Sequence, residues 1–373
     1  MNGEYLGKEI PKLGFGLMRL PMIGDEIDLE QSKAMVDRFM DAGFTYFDTA
    51  FPYINGKSEV AVKEILISRH PREKFRLATK MPVWLVNEEA DLQKYFDIQL
   101  DRTGAGYFDF YLLHALDRGR CDNMEKLGAW EFGLKMKEKG LIKHFGFSFH
   151  DSAESLDYIL SRHPEAEFVQ LQINYADWDN KDVQSKKCYE VASKYNVPII
   201  IMEPIKGGSL AVMRPEVQDI MKQAQPELSI ASWAVRYAAS LEGVVTVLSG
   251  MSNLSQMEDN LSFMSDFKPL KEDEYKVLDL VKEELKKIPV IPCTGCKYCV
   301  EGCPQKINIP GMFDNYNNFK LYQNFETNKG HYQWMTQESG KASECIECGA
   351  CQSHCPQHIE IIDNLKEVAG VFE

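Results

Sequence analysis

"FDFYLLH", Phe108–His114, carries one acidic residue near its start and closes on a histidine, with apolar or aromatic residues elsewhere. A run this short and this apolar reads as a β-strand covered on both faces, because a strand with one wet face would alternate. Seven more runs of the same character occupy the first 288 residues. They are "LGFGL" (Leu13–Leu17), "TYFDTA" (Thr45–Ala50), "FRLATKM" (Phe75–Met81), "HFGFSF" (His144–Phe149), "FVQLQIN" (Phe168–Asn174), "PIIIMEP" (Pro198–Pro204) and "VVTVLSG" (Val244–Gly250). Longer amphipathic stretches separate them. In the first, Asp28 and Gln31 have capping-box spacing, Val36, Phe39 and Met40 give an apolar face, and Gly43 supplies a stop. Eight strand–helix units predict a (β/α)8 TIM barrel. The rival, a doubly wound sheet, lacks its signature, since no G-x-G-x-x-G opens a helix.

Composition narrows the class. The 373 residues are 44% hydrophobic and 26% charged, which is ordinary for a globular chain with room for one large and one small domain. A net charge of −14 leaves no basic face for nucleic acid. No run is long enough to span a bilayer, and "MNGEYLGKEIPKLGFG" at the start has no apolar core of signal-peptide length. The expected location is the cytoplasm, without a membrane or nucleic-acid partner. Thiols stay reduced there, so dense cysteine patterns point to metal or redox chemistry rather than disulfides.

A barrel of this kind places its chemistry at the C-terminal ends of the strands and in the loops that follow. Asp48 falls at the end of the second run, Tyr53 in the loop after it, Lys80 at the end of the third and His114 at the end of the fourth. Singly, each has a bland reading as solvated charge, turn residue or core histidine. Four such groups on adjacent strands point to a site.

"YFDTAFPYINGKSE", "ATK" and "YLLH" resemble the aldo-keto reductase family, over roughly Leu13 to Leu270. The resemblance implies that Asp48, Tyr53, Lys80 and His114 are the catalytic tetrad. It matches Gln172 and Tyr175 to the family's sixth-strand pattern, and "SGMSNLSQMEDN", ending at Asn260, to its closing cofactor segment. The implied activity is hydride transfer to a small-molecule carbonyl. The alkoxide so formed needs a proton, and a tyrosine of ordinary pKa near 10 is a reluctant donor at neutral pH. A nearby Lys80 ammonium, polarised by Asp48, is expected to pull that pKa down, with His114 hydrogen-bonding the carbonyl oxygen.

For the cofactor, the resemblance implies a nicotinamide with its carboxamide held by Ser148 and Gln172 and its ring on Met202. "EPIKGGSL" (Glu203–Leu210) is the loop expected at its phosphates, with Pro204, Lys206 and Gly207 among the contacts. Ser252, Gln256 and Asn260 are expected at its adenosine end. Two places depart from the family pattern: Phe149 stands where Asn usually follows the serine, and neither Ser252 nor Gln256 brings the charge that often meets the 2′-phosphate. NADP and NAD therefore both remain open, and a flavin mononucleotide (FMN) is a third candidate.

"CTGCKYCVEGCP" (Cys293–Pro304) and "CIECGACQSHCP" (Cys345–Pro356) hold eight of the ten cysteines. Each reads C-x2-C-x2-C-x3-C-P, the spacing that wraps three thiolates round a 4Fe–4S cube and passes the fourth to a second cube. The predicted sets are Cys293, Cys296, Cys299 and Cys355 for one cluster, and Cys345, Cys348, Cys351 and Cys303 for the other. Zinc also suits C-x2-C pairs, but two identical four-cysteine cassettes closed by C-P favour iron–sulfur. Between the cassettes, Phe313, Tyr316, Phe319 and Tyr322 recur at helical spacing, as for packing against the clusters. The arrangement resembles helical ferredoxin modules. The expected division is a barrel over residues 1–288 and a small, mainly helical ferredoxin-like iron–sulfur domain over 289–373.

Hydride moves two electrons at once, and clusters move one. The combined reading is an oxidoreductase that couples a carbonyl substrate to a one-electron carrier protein through two clusters, with nicotinamide or flavin between. The alternatives are a plain NAD(P)H-dependent carbonyl reductase with structural or sensing clusters, and an electron-transfer or regulatory binding module.

Overall fold

In the computed structural model, which describes residues 6, 9–181, 183–300, 302–355 and 357–373, all eight predicted runs form strands. They are β1 (Leu13–Gly16), β2 (Tyr46–Asp48), β3 (Arg76–Met81), β4 (Phe108–Leu116), β5 (Ile142–Phe149), β6 (Val169–Gln172), β7 (Ile199–Met202) and β8 (Val244–Ser249). All pair in parallel and in chain order, and β1 closes the barrel by pairing with both β2 (Gly14↔Tyr46) and β8 (Leu13↔Val247). The apolar character of the runs follows from this closure. One face of each strand fills the barrel and the other packs under helices, so neither meets water.

The barrel is filled, not hollow. Tyr46, Ala78, Phe110, Leu112, Phe168, Ile200 and Leu248 form one buried cluster, joined by Leu6 and Ile10 from the segment before β1. Gly14 is part of this packing, because a β-carbon there would come within 2.8 Å of Leu248 Cδ2. The first helix, Leu29–Asp41, begins where its cap spacing predicts: the Asp28 carboxylate accepts from the Gln31 backbone N–H. The Gln31 side chain donates to the same carboxylate at 3.2 Å rather than closing the box on the backbone.

The packing divides the chain into two compact units. One comprises residues 1–204 and 232–270, and the other 205–231 and 271–373. The second unit therefore contains both cassettes and also the stretch that follows β7. Its core is built by Ile307, Ile309, Met312, Phe313, Tyr332, Ile361, Leu365, Val368 and Phe372. The aromatic spacing noted in the sequence lies on one helix, Ile309–Tyr322, in which Phe313, Tyr316 and Tyr322 are buried. That helix starts with an Asn308 cap and Pro310 in its first turn, and ends at Gln323 in left-handed conformation. Asn324 then caps the next helix, Phe325–Met335. Pro356, which closes the second cassette, lies outside the described residues. Among the described residues, no helix is long and apolar enough to cross a membrane.

Candidate active site

Strand geometry brings the predicted tetrad together. Asp48 ends β2 and Lys80 is next to last in β3, where alternation turns both side chains inward. The Lys80 ammonium donates to Asp48 Oδ1 at 2.6 Å, to the Thr49 carbonyl at 2.8 Å and to Tyr53 Oη at 3.2 Å. Only 1% of Lys80 is exposed. Removing an ammonium from water costs several kcal/mol, and three oxygens are arranged to offset that cost. Burial alone would lower the Lys80 pKa, but Asp48 and Tyr53 hold it above the usual lysine value, so the group stays charged.

Tyr53 corrects one expectation. Burial pushes its phenol above the ordinary tyrosine pKa, Lys80 pulls it down, and Asp48 and Glu203 push it up again. The net direction is upward, so the predicted lowering does not occur in the protein alone. The physical reason is that the Lys80 charge is shared with a buried carboxylate, while the phenol itself is desolvated. Tyr53 accepts from Lys80 through its oxygen, which leaves the phenolic proton free to be given elsewhere.

His114 stands with its ring 6.1 Å from that of Tyr53 and 5.1 Å from Trp84. Burial, followed by the Lys80 charge, drives its pKa well below the ordinary value, so the imidazole is neutral. The residue after it, Ala115, takes φ +52° at a point where the β4–β5 register shifts between Leu113 and Leu116. This strained peptide is held on both sides. Its N–H donates to Ser148 Oγ at 2.8 Å, and its carbonyl accepts from the Arg120 guanidinium at 2.7 Å. Ser148, predicted at a carboxamide, thus also anchors the bulge that presents His114, and its hydroxyl hydrogen is still available to donate.

Other predicted residues distribute as follows. Gln172 ends β6 near His150. Met202 ends β7 half-buried, followed by Glu203 at φ +56° and the buried Pro204. Ser252 gives its backbone N–H to Gln256 Oε1 at 2.7 Å. Asn260 is buried with its Oδ1 unpartnered. Tyr175 packs on Tyr237, and so does Trp178. Trp84, in contrast, stands beside the His114 ring. Lys206 and Gly207 belong to the second compact unit, where the Lys206 ammonium lies 5.8 Å from the Tyr322 ring centre and the Gly207 carbonyl accepts from Thr327 Oγ1 at 3.5 Å.

Three residues near the tetrad escaped the sequence reading. Glu203 and His150 are close enough for their charges to act on Tyr53 and His114 respectively, and Arg120 acts on both histidines. His150 had a usable signal, because it follows Ser148 by two residues and so shares its face. Phe147 and Phe149, in alternation, pack outward against each other, Phe147 reaching Trp130. Behind Lys80, on the outward face of β3, a buried network also went unforeseen: Glu59 accepts from Thr79 (2.7 Å) and Gln99 (2.6 Å), and Gln99 accepts from Tyr111 (2.6 Å).

The cassette cysteines line two small cavities. One is bounded by Cys293, Cys296, Cys299 and Cys355, with Ile309, Phe313 and Ile361. The other is bounded by Cys303, Cys345, Cys348 and Cys351, with Ile309 and Leu365. None of the eight is in a disulfide. Four convergent thiols in an apolar wall are the donor set that an iron–sulfur cube requires, and each cavity draws its fourth cysteine from the opposite cassette. A third grouping, Cys121, Glu125 and His163, has metal-like proximity. Its Glu125 carboxylate is occupied by a forked Arg162, and His163 is held between Glu125 and Glu165, which makes it an ion-pair cluster.

Comparison with known proteins agrees with both halves. Residues 12–283 match the model of the aldo/keto reductase family, and residues 292–360 match a 4Fe–4S dicluster domain. L-galactose dehydrogenase of Arabidopsis thaliana is 23% identical, over 72% of this chain and 88% of its own. D-galacturonate reductase of Fragaria ananassa is also 23% identical, over 76% and 87%. Among solved structures, an aldo-keto reductase of Bacillus halodurans in its holo form superposes with a TM-score of 0.58 at 22% identity, over 74% of this chain and 94% of that one. One from Klebsiella pneumoniae in complex with NADPH gives 0.58 at 20% identity, over 73% and 91%.

Proposed function

The chain belongs to the aldo/keto reductase family and is an oxidoreductase, and from that premise we propose that its barrel reduces the carbonyl group of a small molecule using NADP(H). The observation that carries this reading is the Asp48–Lys80–Tyr53 chain of contacts beside a neutral His114. A bound nicotinamide would supply hydride to the carbonyl carbon. The protein supplies the rest. The carbonyl oxygen sits between the Tyr53 hydroxyl and the His114 imidazole, which donates a hydrogen bond as negative charge develops there. Tyr53 then gives its proton to that oxygen, and hydride plus proton convert C=O to CH–OH. The charge left on Tyr53 is met by Lys80, already in contact at 3.2 Å. The upward pKa of Tyr53 suits this direction, since it keeps the acid protonated at neutral pH.

NADP(H) is preferred to FMN because an NADPH-bound reductase is among the proteins of similar fold. The family resemblance assigns Ser148, Gln172 and Met202 to the nicotinamide end, Pro204, Lys206 and Gly207 to the phosphates, and Ser252, Gln256 and Asn260 to the adenosine.

In the C-terminal domain, taken from residue 289, the two four-thiol cavities support two 4Fe–4S clusters with the exchanged fourth ligands. Such clusters supply one-electron steps, and two together match the electron pair of one hydride. This supports electron exchange with a carrier protein, and reduced thiols of this density fit the cytoplasm. The test is the Tyr53→Phe variant. It is expected to retain fold and NADPH binding while carbonyl reduction falls by at least about 100-fold; turnover near wild type would end the assignment. Adding NADPH to anaerobic wild type and watching the cluster absorbance tests the coupling. Unchanged absorbance alongside normal carbonyl turnover would leave the barrel working alone.

A further inference from the structure

Nine of the eleven arginines are paired with a carboxylate. A tenth, Arg236, is buried with partners of its own. Arg19 differs from all of them: it is exposed and makes no ion pair or hydrogen bond among the described residues. In a chain with 56 acidic side chains against 42 lysines and arginines, an arginine without a carboxylate is out of keeping with its surroundings.

Its position is specific. Arg19 follows β1, and β1 pairs with β8 so that Phe15 lies opposite Ser249. This brings the Arg19 stem onto Gly250, the residue after β8. A β-carbon on Gly250 would stand 3.4 Å from Arg19 Cδ and 3.7 Å from its Cβ and Cγ. The φ of Gly250 is not in the left-handed region, so what the missing side chain provides is this close approach. The Arg19 stem thus lies against Gly250, at the start of the segment assigned above to the adenosine end of the cofactor. In that segment Ser252 and Gln256 are both neutral.

We propose that Arg19 is a phosphate ligand of the dinucleotide, supplying from the loop after β1 the cation that the closing segment lacks. The planar fork of a guanidinium matches two phosphate oxygens at once, which a lone ammonium does not. The proposal rests on the nicotinamide reading of the barrel. It places a cation for the cofactor more than 200 residues before the closing segment.

The experiment measures equilibrium binding of NADPH and of NADH, by fluorescence quenching, to the full-length cluster-loaded wild type and to Arg19→Gln and Arg19→Lys. Because Arg19 is exposed and unpaired, the variants are expected to keep the wild-type unfolding midpoint. Arg19→Gln is expected to weaken binding about 10- to 100-fold, with a shallower salt dependence, as for loss of a charge-assisted hydrogen bond. Arg19→Lys is expected to fall between. A loss confined to NADPH supports contact with the 2′-phosphate, and an equal loss for both nucleotides supports contact with the pyrophosphate. Affinities in Arg19→Gln equal to wild type for both nucleotides would overturn the proposal. Wild type that binds neither nucleotide would instead overturn the nicotinamide reading beneath it.

Discussion

At the scale of single residues, the site is organised around one buried cation. Lys80 is desolvated, and it is charged because Asp48, itself only 2% exposed, lies 2.6 Å away. Removing one partner of such a pair leaves the other as an uncompensated buried charge, at a cost of about 3–5 kcal/mol, whereas replacing both with apolar groups of similar volume is often close to neutral. Lys80→Met is therefore expected to lower unfolding stability by that amount. The double variant Asp48→Leu/Lys80→Met is expected to recover most of it, as measured by denaturant unfolding. Neither is expected to recover turnover, which should fall at least about 100-fold in both, because Tyr53 then has no cation to accept its charge. Recovery of activity along with stability in the double variant would show that Lys80 is structural. The contrast separates the two roles of one side chain.

At the scale of elements, what was legible in the sequence was whatever is local. Each strand is a largely apolar run, and each tetrad residue sits near a strand's C-terminal end or in the loop after it, so position and chemistry could be inferred from a few neighbours. The β4 bulge was not legible. Ala115 holds φ +52° because Ser148, 33 residues later, and Arg120 hold its N–H and carbonyl, and no local pattern announces that. The cassettes, in contrast, were legible down to the fourth ligand, because their spacing predicts three thiols per loop and a fourth passed to the other cluster. Cys303 lines the cavity of the second cassette, and Cys355 that of the first. Cys303→Ala is accordingly expected to lower the iron content by about half and to expose Cys345, Cys348 and Cys351 to alkylation, while Cys293, Cys296, Cys299 and Cys355 stay protected. Mass spectrometry of the alkylated peptides reads this directly. Exposure of Cys293, Cys296 and Cys299 instead would mean that each cassette keeps its own fourth ligand.

At the scale of the whole chain, the order of residues and the order of packing part company after β7. The stretch 205–231, which the sequence assigns to the barrel, packs with residues 271–373. Its helix Pro215–Ala224 lies on Glu272–Lys286, and the Arg214 guanidinium donates to the Lys320 carbonyl at 3.3 Å. Gly208, at φ +96°, comes close to Asn324, which would be 3.4 Å from a β-carbon there. The loop proposed for the cofactor phosphates is thus supported at Lys206, Gly207 and Gly208 by Tyr322, Thr327 and Asn324, from the two helices that link the cassettes. The helix ending at Tyr322 begins at Ile309, which lines both cysteine cavities. Truncation after Ile288 keeps the packing on Glu272–Lys286 but removes all of these supports. A loop of left-handed residues such as Lys206, Gly207 and Gly208, without its partners, must be ordered anew by the nucleotide, and each lost hydrogen bond of about 1 kcal/mol is worth about fivefold in affinity. The truncated barrel is expected to fold, to bind NADPH at least about fivefold more weakly than the full chain, and to become sensitive to proteolysis between residues 205 and 214. An affinity equal to that of the full chain would mean that the barrel alone orders the loop. The cassette domain would then owe its place in the chain to electron transfer only, and not also to nucleotide binding.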